Sequence, residues 1–323
     1  MNDREIINII IALLHGVKPN EKMRLLEKVN HENDFDILLK ENIEDFLNRK
    51  LKNYRYMDGI YEKAVKIAAV CRMRSIKFVS RLDSSYPFLL NEIHDPPPVL
   101  FYRGELPGYQ KPLLAMAGTR HPSPEGANQA YMIARGMGQA GFSVISGLAF
   151  GIDAMSHRGN LDAGAPGYAV MGCGLDEIYP RGNRVLAKRI LDSGGALISE
   201  YTPGTLPYKW NFPARNRIIS GLAQSTLIVE APQRSGARIT AEFALDQDRD
   251  LWVASSGVRE GHIKFDKRGT AKLAEDGAEI VYHARDVFEK WGFEVAYNED
   301  AIHAETGGRR LAASLANNLD IEL

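Results

Sequence analysis

Cysteine, net charge and long apolar runs are all scarce in this chain. Its 323 residues include two cysteines, Cys71 and Cys173, which stand far apart and lack the paired spacing of a zinc site. A disulfide-rich secreted scaffold is therefore excluded, and a reducing cytoplasm is the predicted location. Every apolar stretch is broken within a few residues by glycine, proline or charge, so no membrane-spanning helix is expected.

The balance of charge excludes one simple route to nucleic-acid binding. The chain has 40 basic and 41 acidic residues, and its formal net charge of −1 provides no overall field to attract a polyanion. Any such binding must come from locally clustered lysine and arginine. With 45% hydrophobic and 25% charged residues, the composition is that of a globular protein with a sizeable core.

Three segments are predicted along the chain. Residues 1–75 carry apolar residues at helical spacing, which predicts a small all-helical module. The stretch Asp95-Pro96-Pro97-Pro98 cannot be helical, because proline lacks an amide donor and restricts the residue before it. We place the boundary before this connector, so that residues 76–290 form the main domain and residues 291–323 a short tail.

From about residue 110, short apolar stretches alternate with helical ones, which is typical of a mostly parallel sheet covered on both faces. The predicted strands are residues 113–117, 142–145, 167–171, 196–199, 226–230 and 251–254. The predicted helices are residues 125–140, 154–163, 183–193, 215–222 and 239–247. The fold class is therefore doubly wound α/β, and ligands are expected in the loops at the carboxyl ends of the strands.

The loop after the first of these strands has features of an anion site. Gly118-Thr119-Arg120 precedes Ser123-Pro124-Glu125-Gly126, which opens a helix. Small residues let a ligand approach the backbone, free amides at a helix start favour phosphate, and Arg120 adds a cation. The alternative is that Gly118 only permits a tight turn. The G-x-G-x-x-G fingerprint is absent, so no redox cofactor is expected.

The loop after the second strand contains serine, aspartate and histidine without the spacing of a nucleophile. Ser146-Gly147 is followed by Asp153 and His157, and the G-x-S-x-G elbow is missing. The favoured interpretation is structural: Asp153 caps the helix, and His157 packs under the sheet. The catalytic alternative requires this pair to activate Ser146.

A basic and aromatic segment is the most distinctive part of the sequence. It runs Lys209-Trp210-Asn211-Phe212-Pro213-Ala214-Arg215-Asn216-Arg217, and Arg234-Ser235-Gly236-Ala237-Arg238 follows the next strand. Cations neutralise phosphates and an aromatic ring stacks an unpaired base, so this pattern predicts a salt-sensitive site for a flexible single strand. The alternative is that these arginines pair with carboxylates elsewhere or are merely solvated.

No catalytic site and no metal site are predicted. The acids considered are Glu200, Glu230 and Glu242, and none stands with histidine or cysteine at a spacing typical of metal ligands. No Ser–Lys or Cys–His pair stands out as a nucleophile with its base.

Taken in order, the loops resemble the DNA-processing protein A (Smf) family over about residues 76–290. The blocks that carry the resemblance are Tyr86-Pro87, Asp95-Pro96-Pro97, Gly118-Thr119-Arg120, Ser146-Gly147-Leu148-Ala149, Gly151-Ile152-Asp153 with His157, Gly172-Cys173-Gly174-Leu175-Asp176, Tyr179-Pro180, Ser199-Glu200-Tyr201, Phe212-Pro213-Ala214-Arg215-Asn216-Arg217-Ile218-Ile219, Glu230-Ala231, Ser235-Gly236 and Ile239-Thr240-Ala241.

The resemblance implies an extended Rossmann-like fold that forms a homodimer, binds single-stranded DNA without catalysis, and helps load the RecA recombinase in natural transformation or recombination. It places Lys209 and Arg215 near phosphates and Phe212 against a base. The N-terminal helices are similar to the family's sterile-alpha-motif-like or helix-hairpin-helix module. The complete set of predicted DNA-binding residues is Gly118, Thr119, Arg120, Ser146, Gly147, Lys209, Phe212, Arg215, Asn216, Arg217, Ser235, Gly236 and Arg238.

The chain departs from the family pattern at several positions. Phe150 stands where relatives often carry arginine, Ser255-Ser256-Gly257 replaces a common Pro-Gly, and Gly269-Thr270-Ala271 lacks an asparagine frequent there. Gly16-Val17-Lys18 is not a clear hairpin motif. The residues after Trp291 are too few for the winged helix that some relatives append, so none is predicted.

Two other functions compete with this one. The first is a nucleotide or nucleoside-phosphate hydrolase resembling the lysine-decarboxylase-like phosphoribohydrolases, whose signature is echoed by Ser235-Gly236 and Thr240-Ala241-Glu242 with the wrong glycines and spacing. Glu242 is then the catalytic candidate. The second is a nucleotide-sensing protein that uses the same pocket without binding DNA.

Overall fold

A nine-stranded sheet organises the computed structural model, which describes residues 3–14, 16–32, 38, 40–50, 59–108, 110, 112–259 and 264–294. The strands are β1 Lys77–Ser80, β2 Val99–Gly104, β3 Leu113–Ala117, β4 Ser143–Ser146, β5 Gly167–Val170, β6 Ala196–Ser199, β7 Ser225–Ile228, β8 Asp250–Ala254 and β9 Glu279–Val281. Their spatial order is β1-β2-β6-β5-β4-β3-β7-β8-β9.

Helices precede the sheet and connect its strands. They are α1 Asp3–Leu13, α2 Pro19–Glu32, α3 Lys40–Leu47, α4 Ile60–Met73, α5 Phe88–Asn91, α6 Pro124–Gln139, α7 Ile152–Asp162, α8 Arg184–Asp192, α9 Asn211–Gly221, α10 Gly236–Asp246, α11 Ser255–Val258, α12 Arg268–Glu275 and α13 Ala284–Lys290. Among the residues described here, no helix combines the length and apolar character needed to cross a membrane.

The sheet is parallel except at one edge. Strand β2 pairs antiparallel with both β1 and β6, while the pairs from β6 across to β9 are parallel. Strand β3 is buried along its whole length, as expected for a central strand covered by helices on both faces. This confirms the predicted fold class, a mostly parallel, doubly wound α/β fold preceded by helices.

Strands β1, β2 and β9 were not predicted from the sequence. Strands β1 and β2 flank the proline-rich connector; β1 has four residues and β2 has six, the first three buried and the last three half-buried. Strand β9 has three residues at the opposite edge, and one of them is buried. Edge strands of three or four residues are too short to show an alternation, and burial along β2 does not alternate, so sequence periodicity does not reveal these strands.

Helix α9 begins four residues before its predicted start at Arg215. Pro213 lies in the first turn of the helix. A proline there removes only an amide that has no partner within the helix. The earlier start brings the basic and aromatic segment onto the amino end of a helix.

The N-terminal helices pack against the sheet domain through a shared core. Ile9 and Leu25, from α1 and α2, belong to the same cluster of buried residues as Phe101, Leu148 and Leu175. Arg4 also forms an ion pair with Asp83, 2.8 Å between Nη2 and Oδ1. The division into segments at residues 75 and 290 stays a prediction. The predicted absence of a winged helix falls largely on residues 295–323, outside the described part of the chain.

Candidate functional site

The candidate site lies at the carboxyl edge of the sheet, next to the point between β3 and β7 where the order of the strands reverses. Strand β3 has β4 on one side and β7 on the other, so the loops after β3 and β7 meet at the carboxyl edge of the sheet. Glu230, just after β7, ties them together: its carboxylate accepts hydrogen bonds from the amide (2.8 Å) and hydroxyl (2.5 Å) of Ser123. Ser123 in turn caps α6 by accepting from the Gly126 amide, at 3.0 Å.

A small pocket opens at this edge, formed by the loops after β3, β4 and β5 and by the start of α9. Four of its lining residues belong to the predicted DNA-binding set, namely Arg120, Gly147, Phe212 and Arg215. The other four are Ala149, Phe150, Tyr179 and Pro180. None of these eight lining residues is acidic, so the pocket wall carries positive charge.

Arg120 and two aromatic rings form the open side of the pocket. The Arg120 guanidinium carbon lies 5.9 Å from the centroid of the Phe212 ring, within the range of a cation–π contact. The Tyr179 ring lies 5.4 Å from that of Phe212, at an interplanar angle of 37°. Arg120 and Tyr179 are exposed and Phe212 is half-buried, so a cation and aromatic surface are available to a ligand together.

Arg215 forms the floor of the pocket and is held by the protein itself. Its Nη1 donates to the carbonyl oxygens of Gly147, at 2.9 Å, and Val170. Burial lowers the pKa of the Arg215 guanidinium, and the nearby carboxylate of Asp153 opposes that shift. A side chain at Gly147 is excluded, because a Cβ there would lie 2.6 Å from Arg215 Nη2. Arg215 therefore supplies a fixed positive charge.

The prediction that Asp153 caps helix α7 is wrong. Asp153 binds the loop before the helix instead. Its Oδ2 accepts hydrogen bonds from the amides of Gly147 and Ala149, at 3.1 and 3.2 Å. The N-cap position is Gly151, whose φ of 73° favours glycine. Leu148, between the two bonded amides, also has a positive φ of 57°. Asp153 thus stabilises a backbone conformation that residues other than glycine rarely adopt.

Ser146 and His157 do not form a nucleophile and base. Ser146 is buried in the sheet and donates its hydroxyl to the Met116 carbonyl oxygen at 2.6 Å. His157 is fully buried, and its ring nitrogens have no hydrogen-bond partner among the described residues. Burial lowers the pKa of His157 to about 3, so the ring is neutral. His157 packs as predicted, and the catalytic alternative for this loop is contradicted.

Arg217 and Asn216 are turned away from the pocket, contrary to the prediction that they face the strand. Arg217 Nη1 and Nη2 donate to the two carboxylate oxygens of Glu200 at 2.7 and 2.8 Å, and Nε donates to Asp95 at 2.9 Å. The alternative of pairing with carboxylates therefore applies to Arg217, whose side chain is 7% exposed. Asn216 is buried and donates to the Gly236 carbonyl oxygen at 3.0 Å.

The other predicted residues do not line the pocket. Lys209 is exposed beside the pocket segment, and Ser235, Gly236 and Arg238 lie at the start of α10. Gly118 and Thr119 act through the backbone: the Thr119 amide donates to the Glu230 carbonyl oxygen (2.7 Å), and its own carbonyl accepts from the Ile152 amide (3.2 Å). These loops are therefore connected to each other across the edge of the sheet.

Sequence reasoning missed part of the pocket wall. Tyr179 and Pro180 were noted as a motif but given no role, and Phe150 was treated only as the loss of an arginine. Phe150 and Tyr179 are large exposed aromatic residues, and both line the pocket. An aromatic residue placed in a loop after a strand was the signal that pointed to them. Among the described residues, no group of acidic, histidine or cysteine side chains is arranged to hold a metal ion.

The comparison with protein families identifies the chain. A family model described as DNA recombination-mediator protein A matches residues 77–292. The chain belongs to this family. The resemblance drawn from the loop motifs is thereby confirmed, and the family match covers the whole sheet with its connecting helices.

Relatives of this DNA recombination-mediator protein A member share the same region. Protein Smf of Synechocystis is 39% identical over 227 residues, covering 68% of this chain but 55% of its own length. DNA processing protein DprA of Bacillus subtilis is 34% identical over 235 residues, covering 72% and 77%. The chain thus spans about half of the first relative and about three quarters of the second.

Solved structures of DNA processing protein A share the fold. That of Streptococcus pneumoniae matches with a TM-score of 0.73 and 31% identity, covering 91% of this chain and 99% of that one. The Helicobacter pylori protein matches with a TM-score of 0.57 and 26% identity, covering 67% and 95%. The Helicobacter pylori work describes a single-stranded DNA binding mode of that protein.

Proposed function

We propose that this chain binds single-stranded DNA in the pocket at the carboxyl edge of the sheet. The observation that carries the proposal is the exposed guanidinium of Arg120 over the half-buried ring of Phe212, in a pocket whose described lining residues include no acid. A phosphate needs a cation, and an unpaired base needs a ring to stack on. Family membership and the binding mode described for the Helicobacter pylori protein support the same ligand.

The binding residues have different roles in this proposal. Arg120 and Lys209, both exposed, contact phosphates, and Phe212 offers its ring to a base. Arg215 contributes a buried positive charge and holds the Gly147 loop in place. Arg238, Ser235 and Gly236 extend the path along the start of α10. Affinity of this kind is dominated by phosphate contacts and shows little preference for base sequence.

We propose that the protein acts without catalysis. Glu200 is engaged by Arg217, and Glu230 is buried with Ser123 and Lys267. Glu242, the candidate of the hydrolase alternative, is exposed on α10 and does not line the pocket. The phosphoribohydrolase alternative places a catalytic glutamate in contact with its substrate, and these three positions do not supply one to the pocket.

The wider role rests on family membership. We propose that the chain works in the cytoplasm as a homodimer, protects incoming or processed single strands and helps load the RecA recombinase onto them. The matched family is described as a recombination mediator, which supports transfer of DNA to a recombinase. The N-terminal segment up to residue 75 is proposed to stabilise the sheet domain through the shared core.

The deciding experiment is fluorescence anisotropy of a labelled oligo-dT over a salt series. Wild type is expected to bind with an affinity that falls as salt rises, and Arg120→Ala to weaken binding and reduce the slope of log K against log salt by about 0.7. Arg74→Ala is the matched control. Arg74 is exposed and precedes β1, which runs in the same direction as β6. It therefore lies at the amino ends of the parallel strands, opposite the pocket.

Each outcome has a distinct meaning. A loss in Arg120→Ala that Arg74→Ala does not share supports the pocket as the binding site. Equal affinity in all three proteins means that DNA binds elsewhere on the surface. Absence of binding by wild type at low salt overturns the proposal and turns attention to nucleotide binding and hydrolysis, with Glu242→Gln as the first variant.

A further inference from the structure

Two exposed aromatic rings lie beside the pocket and take no part in it. Trp210 is 70% exposed and Tyr208 is 43% exposed. Their ring centroids are 4.8 Å apart and the rings are nearly parallel, at 5°. Neither residue lines the pocket formed by Arg120 and Phe212. An exposed tryptophan stacked on a tyrosine presents a large apolar ring surface to solvent, in an orientation fixed by its neighbour.

The backbone holds this aromatic pair in place. Asn211, which follows Trp210, is buried and donates its side-chain amide to the Gly172 carbonyl oxygen at 3.0 Å. The Asn211 backbone amide donates to the Tyr208 carbonyl oxygen, also at 3.0 Å. The segment is therefore anchored on the loop after β5. A ligand that stacks on these rings does not have to order them first, which lowers the entropic cost of binding.

The pair is continuous with the proposed DNA pocket. Trp210 occupies the N-cap position of α9, and Phe212 follows it by two residues. Residues two apart at a helix start point in different directions, so the two rings offer separate surfaces to one passing strand. Exposed Lys209 lies between Tyr208 and Trp210 in sequence and provides the positive charge that a phosphate linking two bases requires.

We propose that Tyr208 and Trp210 form a second stacking site, which takes an unpaired base of the same DNA strand that occupies the Phe212 pocket. The inference rests on the proposed function, because it assigns a further subsite to that ligand. Phe212 binds one base inside the pocket, Trp210 stacks another base outside it, and Lys209 neutralises a phosphate beside the second base. The aromatic pair thus extends the length of strand that the protein holds.

The test uses the intrinsic fluorescence of tryptophan. The chain has three tryptophans: Trp252 is 4% exposed, Trp291 donates its indole N–H to the Ser225 hydroxyl at 2.7 Å, and Trp210 is open to solvent. Saturating oligo-dT is expected to quench the emission of wild type. The quenching should disappear in Trp210→Phe, which keeps an aromatic ring for stacking.

Affinity separates stacking from charge. Trp210→Ala is expected to weaken binding of oligo-dT of about 16 nucleotides roughly 5- to 100-fold, and Trp210→Phe to restore most of the loss. The effect of Trp210→Ala should vanish with an abasic strand of equal length, which has phosphates but no bases. Tyr61→Ala, which removes another exposed aromatic residue from α4, is the matched control and should bind like wild type.

The outcomes separate this inference from the proposed function. If wild type binds DNA and Arg120→Ala loses binding, but Trp210→Ala matches wild type and DNA leaves the emission unchanged, the second stacking site is overturned and the pocket stands. If Trp210→Ala weakens the abasic strand as much as oligo-dT, base stacking is also overturned. If wild type binds no single-stranded DNA at all, both proposals fail together.

Discussion

Three arginines of the predicted DNA-binding set differ in what surrounds their guanidinium groups. Arg120 is exposed, Arg215 is buried against backbone carbonyl oxygens, and Arg217 is enclosed by two carboxylates. Burial acts to lower the pKa of Arg217, but Glu200 and Asp95 outweigh it and raise the pKa above its ordinary value. A sequence lists these residues alike. Their environments leave the first open to the ligand that we propose, use the second to hold the pocket loop and bury the third in ion pairs.

The contrast between Arg120 and Arg215 predicts opposite effects on stability. Arg215→Met is expected to lower the free energy of unfolding by about 3 kcal/mol, because it removes the positive charge near buried Asp153 and leaves two buried carbonyl oxygens without this donor. Arg120→Ala is expected to change it by less than about 0.5 kcal/mol, as is usual at an exposed position. Urea unfolding followed by circular dichroism measures both.

The same pair of variants tests whether Arg215 is a structural residue. If Arg215→Met unfolds at the wild-type urea concentration and loses only DNA affinity, Arg215 contacts the ligand directly and its bonds to the Gly147 loop stabilise little. If Arg120→Ala loses as much stability as Arg215→Met is expected to lose, the exposed Arg120 also stabilises the folded protein.

His157 makes stability depend on pH. Its ordinary pKa of 6.5 applies to the unfolded chain, and burial, with the charge of Arg215, lowers it to about 3 in the folded protein. Below about pH 6.5 the unfolded chain binds a proton that the folded protein does not, so the contribution to stability is complete at higher pH and is lost as pH falls toward 3. Between about pH 7.5 and 5.5 the loss is about 1.4 kcal/mol.

The measurement compares urea unfolding of wild type and His157→Leu across that pH range. Leucine fills the buried site without titrating, so the free energy of unfolding of the variant should fall less with acid, by the amount assigned to His157. Parallel pH profiles for the two proteins would mean that His157 gains a proton in the folded state at ordinary pH.

At the scale of elements, the central sheet was predictable and its edges were not. Strand β3 matched residue for residue, because a short run of buried apolar residues between turn signals has one simple interpretation. Helix α9 was started late, because a proline in a first turn looks the same in sequence as a helix breaker. Sequence reasoning left pairing of Arg217 with carboxylates as an alternative but could not name the partners, because Asp95 and Glu200 lie 122 and 17 residues away along the chain.

The start of helix α6 depends on one serine that joins two elements. Ser123 caps the helix through Gly126 and donates its hydroxyl to Glu230 beyond β7. Ser123→Ala is expected to lower the free energy of unfolding by about 1 to 2 kcal/mol, because it removes the cap and leaves a buried carboxylate oxygen without that donor. Thermal and urea unfolding measure the change.

An exposed serine provides the matched control for that cap. Ser84 lies in the loop after β1 and is exposed, so Ser84→Ala should be neutral. Equal stability of the two alanine variants would show that Lys267, which also contacts Glu230 at 3.2 Å, is sufficient to hold this junction of loops.

At the scale of the whole molecule, the acidic and basic residues cancel while the pocket remains positive. A net charge of −1 keeps long-range attraction to DNA weak, and the described pocket wall concentrates its charge on Arg120 and Arg215. Under the proposed function, such an arrangement restricts binding to strands flexible enough to enter the pocket. It also separates the binding edge of the sheet from the face covered by the N-terminal helices, whose buried residues continue into the core behind β5 and β6.

This shared core predicts how the chain unfolds. Two independent domains would unfold in two transitions, but α1 and α2 bury Ile9, Leu13 and Leu25 in one cluster with Leu148 and Leu175. Separating the helices from the sheet would expose both surfaces, so we expect one cooperative transition. All three tryptophans lie after residue 209, whereas circular dichroism reports on every helix. The urea transitions followed by the two signals should therefore coincide. A fluorescence midpoint clearly above that of circular dichroism would mean that the N-terminal helices open first and form a module of their own.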